Sequence, residues 1–165
     1  MRILAGVSLA LVSTSALAGC GGEDPANVAG TYTALTTSRD NGCNLSNWVV
    51  GAQSSPITVQ ITQSGAAASA DVQALAGAGL DFLVGGHVFT GSVSGRRVDL
   101  TIVGTRAMSS GACAYTIDAT LLGELTGNSL DGAVVYEART NGAADCGPLT
   151  GCSSHQDFAG SRAPQ

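Results

Sequence analysis

Lysine is missing from this chain altogether, and charged residues of either sign make up only 12% of its 165 residues, against roughly 25% in an average soluble domain. Nucleic-acid binding requires clustered Lys or Arg to neutralise phosphates. With seven arginines, a net charge of −5 and Arg96-Arg97 as the one adjacent basic pair, no nucleic acid is expected as a partner. That pair reads as a charged hairpin turn facing water. Aromatics are scarce too, one Trp, three Tyr and three Phe, so each ring supplies a large share of whatever core or pocket forms.

Histidine occurs only at His87 and His155. His155 has Ser153, Ser154 and Asp157 beside it, the residue types of nucleophilic catalysis. Neighbours in sequence are not a converging triad, however, and no G-x-S-x-G elbow is present. Asp99, Asp118 and Asp131 alternate with apolar residues and read as solvent-facing strand positions rather than as a pair of catalytic carboxylates. The glycine-rich stretches at 77–79 and 85–86 lack the lysine of a phosphate loop, and the cysteines lack the C-x₂-C spacing of a zinc site. The expectation is a protein that is not an enzyme, with no catalytic residues, no metal and no cofactor.

A long hydrophobic run is also absent. Residues 3–12, ILAGVSLALV, fall short of the roughly 20 apolar residues that a membrane-spanning helix needs. With Arg2 before them and small polar residues after, they have the layout of a secretory signal peptide. Ala16-Leu17-Ala18 is an A-x-A site for release of a soluble protein beginning at Gly19. Leu17-Ala18-Gly19-Cys20, in turn, resembles the lipobox of bacterial lipoproteins. That resemblance implies cleavage before Cys20, a diacylglycerol thioether on its sulfur, and attachment to the membrane through acyl chains. Gly21 in place of Asp after the lipidated cysteine implies the outer membrane rather than retention at the inner one. The expected organisation is a signal peptide over 1–19, a lipidated terminus and polar tether over 20–27, and one β domain over 28–165.

Cysteine parity bears on the choice. Cys20, Cys43, Cys113, Cys146 and Cys152 are an odd set for an exported chain, and setting Cys20 aside as the anchor leaves four that can all pair in an oxidising compartment. Three pairings are open. Proximity favours Cys146 with Cys152 across a Gly-Pro turn, leaving Cys43 to bind the long connection over 38–55 to Cys113.

The rest of the sequence is all-β. Apolar residues recur with a period of two in short runs separated by Gly, Ser and Asn, predicting strands over 28–37, 56–64, 87–93, 97–104, 113–123, 129–140 and 156–162, with a weaker one within 67–74. Residues 74–86 fit a loop with a strand at 81–84. Along 129–140, Leu130, Gly132, Val134 and Tyr136 share the expected inward face, where glycine leaves volume for a facing aromatic or a cavity. An antiparallel meander of seven or eight strands must close on itself or pair face to face, so a barrel and a β-sandwich remain.

At one end Gly30-Thr31-Tyr32 resembles the Gly-x-Trp element of the lipocalins, with Tyr for Trp, and Arg162 resembles the arginine those barrels lay across that ring. The resemblance implies a lipocalin-like barrel over 28–162, closed where Gly30, Tyr32 and Arg162 meet, with the connection over 38–55 as the large loop at its mouth. Trp48, Phe89, Tyr115 and Tyr136 are then the candidate ligand-lining rings. The functional expectation is a membrane-anchored envelope lipoprotein that holds a small apolar ligand; the alternative is a structural module that docks an envelope protein.

Overall fold

A computed structural model describes residues 23–164. The signal segment and Cys20 lie outside the described residues. Nine strands follow in chain order: β1 (Gly30–Asn41), β2 (Ile57–Ser64), β3 (Ala67–Val72), β4 (Val88–Ser94), β5 (Arg97–Ile102), β6 (Met108–Ser110), β7 (Cys113–Thr126), β8 (Ser129–Thr140) and β9 (Ser153–Arg162). One helix, α1 (Ala74–Leu83), joins β3 to β4, and a 3₁₀ turn, Ala144–Leu149, joins β8 to β9.

The sheet order is β5-β4-β3-β2-β1-β9-β8-β7-β6, with β5 also paired to β7, so eight strands form a closed antiparallel barrel and β6 is an extra strand outside the ring. Closure settles the choice between barrel and sandwich. It removes the two sheet edges that an open meander would present. The alternation written in the sequence sets which side faces in: Ile61 on β2, Leu100 on β5, Leu121 on β7 and Leu130, Val134 and Tyr136 on β8 are buried inside, while Asp99 and Asp131 point to water. Each large aliphatic or aromatic side chain so buried contributes roughly 1.5–3 kcal/mol. At the Gly123–Gly132 pair the volume that glycine leaves is taken by an aromatic, since a Cβ on Gly123 would stand 3.0 Å from the Phe158 ring.

The two ends of the barrel differ. One end carries the tight turns at Gly65, Gly95 and Gly127, each with positive φ, together with the start of β1 and the end of β9. The other carries everything longer: the 42–56 connection, α1, the 103–107 segment with β6, and the 3₁₀ turn.

Several expectations need correction. Residues 81–84 are not a strand; they finish α1 and its cap. The run ALAGAGLDFL has no β-branched residue, Ala and Leu favour helix, and Gly77 lets the helix sit against the end of β3, where a Cβ would come within 2.1 Å of the Val72 carbonyl oxygen. Asp118 is buried, because the segment after β5 folds over the outside of β7: Asp118 Oδ1 accepts the Gly104 N–H at 2.8 Å and Oδ2 accepts from Arg139 Nε. Residues 23–27 are not a free tether. They lie on the β4–β5 turn, with Ala26 N–H donating to the Gly95 carbonyl at 2.7 Å and Gly95 N–H to that of Glu23 at 3.2 Å.

The disulfides also pair differently: Cys43 with Cys152 and Cys113 with Cys146. The 3₁₀ turn coils 144–149 so that Cys146 faces the start of β7 rather than Cys152, and Cys43 meets Cys152 because β1 and β9 are neighbours. Both bridges stand at the end that carries the long connections.

Candidate functional site

Inside the barrel, open toward the end with the long connections, is a cavity of about 300 Å³. Its walls come from strands and its cover from two non-strand elements. Tyr32, Ile61, Leu121, Leu130 and Phe158 supply apolar wall, Trp48 comes from the 42–56 connection, and Ala76, Gly79, Leu80 and Leu83 come from α1.

Trp48 is held from several directions. Cys43–Cys152 ties the connection to β9, Asn41 makes a reciprocal pair of bonds to the Leu45 backbone, and Gly51 and Ala52 exchange backbone hydrogen bonds with Ser38. The indole N–H donates to the Arg39 carbonyl at 2.9 Å, and the ring meets Tyr136 edge-on with centroids 5.8 Å apart. This spends the indole's polar handle on the protein and leaves its apolar surface to the cavity.

The helix cover is loosely made. It has no side-chain cap at its N-terminus, begins at Ala74 with φ +56°, and carries no acidic residue in its first turn. Leu80 and Leu83 face the cavity while Leu75 (90% exposed) and Phe82 (67% exposed) face water, with Arg106 over the Phe82 ring at 4.1 Å. Asp81 ties α1 to the head of β4 through His87 Nδ1 at 2.8 Å, and Asp71 on β3 stands 3.7 Å from Nε2. The Asp81 hydrogen bond and charge hold the His87 imidazole above its ordinary pKa, with a smaller push from Asp71.

Polar groups inside are few. Tyr136 Oη donates to Gln156 Oε1 at 3.1 Å, and Gln156 Nε2 donates to Ser38 Oγ at 3.2 Å. Burial pushes the Tyr136 phenol up to about 12. None of the described side chains lining the cavity is Asp, Glu, Arg or His.

At the tight-turn end, Tyr32 on β1 pairs with Arg162 on β9, and the guanidinium stands 5.5 Å from the centre of the ring. Arg162 Nη2 donates to the Asn27 carbonyl at 2.8 Å, Nη1 donates to that of Ala29, and Tyr32 Oη donates to that of Val28 at 3.0 Å. Burial pushes the Tyr32 phenol up, partly offset by the Arg162 charge. Gly30 has φ +145°, a conformation an L side chain rarely adopts, which suits glycine at the entry to β1. These three residues occupy the seam between the first and last barrel strands.

Of the four candidate lining rings, Trp48, Phe89 and Tyr136 line the cavity and Tyr115 does not. The first residues of β7, including Tyr115, pair with β6 instead of β5, so Tyr115 stands beyond the stretch of β7 that β5 closes, still paired to Thr140 of β8. Sequence reasoning missed Gln156 and the α1 residues. Gln156 shares its inward face with Phe158 and Gly160, which alternation along β9 could have revealed; the helix residues required recognising α1. Ser154 and His155 point to opposite faces. Ser154 is buried, accepting from the Cys43 N–H and donating to Asn41, and His155 Nδ1 faces Asp40 at 3.5 Å. Among the described residues, no three His, Cys, Asp or Glu side chains gather as metal ligands would.

No protein-family model, no curated protein and no solved structure matches this chain.

Proposed function

We propose that this chain is an envelope lipoprotein, anchored through Cys20, that holds a small apolar ligand in its barrel without catalysis. The observation that carries the reading is the cavity itself, about 300 Å³ inside a barrel otherwise packed with side chains. That is the low end of the roughly 300–1,000 Å³ range of small-molecule sites. Its walls are apolar, and its cover is a weakly capped helix and a covalently tied loop, a wall that stays and a lid that yields.

Cysteine usage supports the anchoring half. The four cysteines among the described residues are consumed in disulfides, which suit an oxidising compartment and leave Cys20 as the one remaining thiol in the sequence. Residues 23–26 run along the tight-turn end, and a residue spans at most about 3.6 Å. A lipid on Cys20 therefore keeps that end against the bilayer and the cavity mouth away from it.

Native mass spectrometry of gently purified protein, followed by titration with the neutral dye N-phenyl-1-naphthylamine, tests the ligand-holding half. A bound species or saturable dye fluorescence is expected, and the absence of both contradicts it. Peptide mass spectrometry tests the anchor: a diacylglyceryl Cys20 terminus is expected, and an unmodified Gly19 terminus contradicts it. A second reading, docking of an envelope protein at the mouth, is favoured by exposed Leu75, Phe82, Val49 and Val50 at that end. Crosslinking in cells from a photoreactive residue at 75 tests that reading; recovery of no partner counts against it.

A further inference from the structure

We propose that the cavity selects an uncharged amphiphile of about ten heavy atoms, with an alkyl chain and one hydroxyl or ester group, and rejects the matching carboxylate. This rests on the ligand-holding reading above and names the chemistry of what is held.

The size follows from the volume. About 300 Å³ is the room of roughly ten waters at 30 Å³ each, enough for an eight-carbon chain with a small head group. Besides Tyr32, whose hydroxyl is spent on the Val28 carbonyl, the lining holds three polar side chains, Thr36, Tyr136 and Gln156, and the head group goes to the two that are bonded to each other. Tyr136 and Gln156 are neighbouring polar side chains in the lining, and their mutual bond and the bond to Ser38 leave part of their capacity unused. After those bonds the Gln156 amide still has one N–H to give, and the phenol oxygen still has lone pairs to accept with. A hydroxyl can use both, and an ester carbonyl can use the N–H.

A carboxylate finds no such match. It brings a full charge and several lone pairs to a wall with no cation and little donor capacity, and burying an uncompensated charge is far costlier than burying a paired hydroxyl. Neither Arg162 nor Arg39 lines the cavity. Arg162 gives Nη1 and Nη2 to the Ala29 and Asn27 carbonyls at the tight-turn seam, its buried Nε has no partner, and the Tyr32 ring stands between its guanidinium and the cavity; Arg39 is paired with Asp157 Oδ2 at 2.6 Å on the outside. The raised Tyr136 phenol is an independent sign that this surrounding disfavours negative charge.

Isothermal titration of the mature protein at neutral pH with 1-octanol, methyl octanoate and octanoate tests the inference. The first two are expected to bind with similar affinity and octanoate on the order of thirtyfold more weakly. Gln156→Leu, with its fold checked by circular dichroism, is expected to weaken 1-octanol about fivefold relative to butylbenzene. Octanoate binding as tightly as 1-octanol would overturn the inference while leaving the ligand-holding reading in place. A 1-octanol affinity unchanged relative to butylbenzene in Gln156→Leu would overturn the head-group assignment. Failure of all four compounds to bind the wild-type protein would overturn the ligand-holding reading itself, and this inference with it.

Discussion

The two ends of this barrel are built by different means. At one end, three hairpins turn on single glycines, Gly65, Gly95 and Gly127, and Arg162 crosses the Tyr32 ring at the seam. At the other, the connections are long, two disulfides hold them, and an apolar helix lies over a cavity. Local turn chemistry suffices for the first end, because a two-residue turn fixes its own geometry. The second end has no such local determinant and is held by covalent bonds between residues far apart in the chain. A site that must admit a ligand is better placed at the second end, where cover can move without opening the barrel.

The largest expected effect comes from removing the bridge at the mouth. Cys43 and Cys152 are 109 residues apart, and closing a loop of that length contributes about 4.8 kcal/mol in the chain-entropy account. The Cys43→Ser, Cys152→Ser double variant is expected to lower Tm by roughly 10 °C or more in calorimetry. It is also expected to release the Trp48 connection; undiminished ligand affinity in that variant would break the contrast between the ends.

A smaller effect is expected at the tight-turn end. Arg162→Leu removes a cation over an aromatic ring and two hydrogen bonds to carbonyls, costing about 2 kcal/mol. Because Arg162 does not line the cavity, ligand affinity should stay within about twofold once the protein is folded. A large loss of affinity at full folding would mean that the two ends are coupled.

Smaller still is the pH response of the cover. The Asp81 hydrogen bond raises the His87 pKa above 6.5, so the ion pair is fully present below that value and is lost as pH rises through the raised one. Hydrogen exchange of the α1 amides, corrected for its intrinsic pH dependence, should show less protection at about pH 8.5 than at about pH 6, and His87→Asn should flatten the difference. The opposite slope would rule out this contact as a latch. Gly79→Ala should have the least effect on stability. No atom lies within 4 Å of a Cβ there, so the substitution should stabilise α1 by up to about 1 kcal/mol and slow ligand exchange measured by stopped flow.

The same contrast explains what could be read in the sequence. The strands and tight turns were legible, because alternation and glycine act over a few residues: Val59 and Ile61 face in together, as do Leu130, Val134 and Tyr136. The seam was legible through Gly30, Tyr32 and Arg162. The open end was not. Disulfide pairing depends on which strands become neighbours, and Cys43 meets Cys152 only because β1 closes against β9. The burial of Asp118 depends on a segment folding over the outside of β7, and alternation along β7 itself does not record that. Helix α1 is too short and too rich in glycine for periodicity to separate it from a strand. Tyr115, a candidate lining ring, packs against the core but sits at the start of β7, beyond the stretch that pairs with β5, and so falls outside the cavity.

The most direct measurement uses the chain's single tryptophan, which stands at the cavity mouth against Tyr136. Trp48 emission should change saturably as 1-octanol is added to the wild-type protein. It should not change in Val134→Phe, whose larger side chain enters the same space while circular dichroism shows the barrel intact. A change that never saturates, or one that survives in Val134→Phe, would contradict the claim that the open end of this barrel is a ligand site.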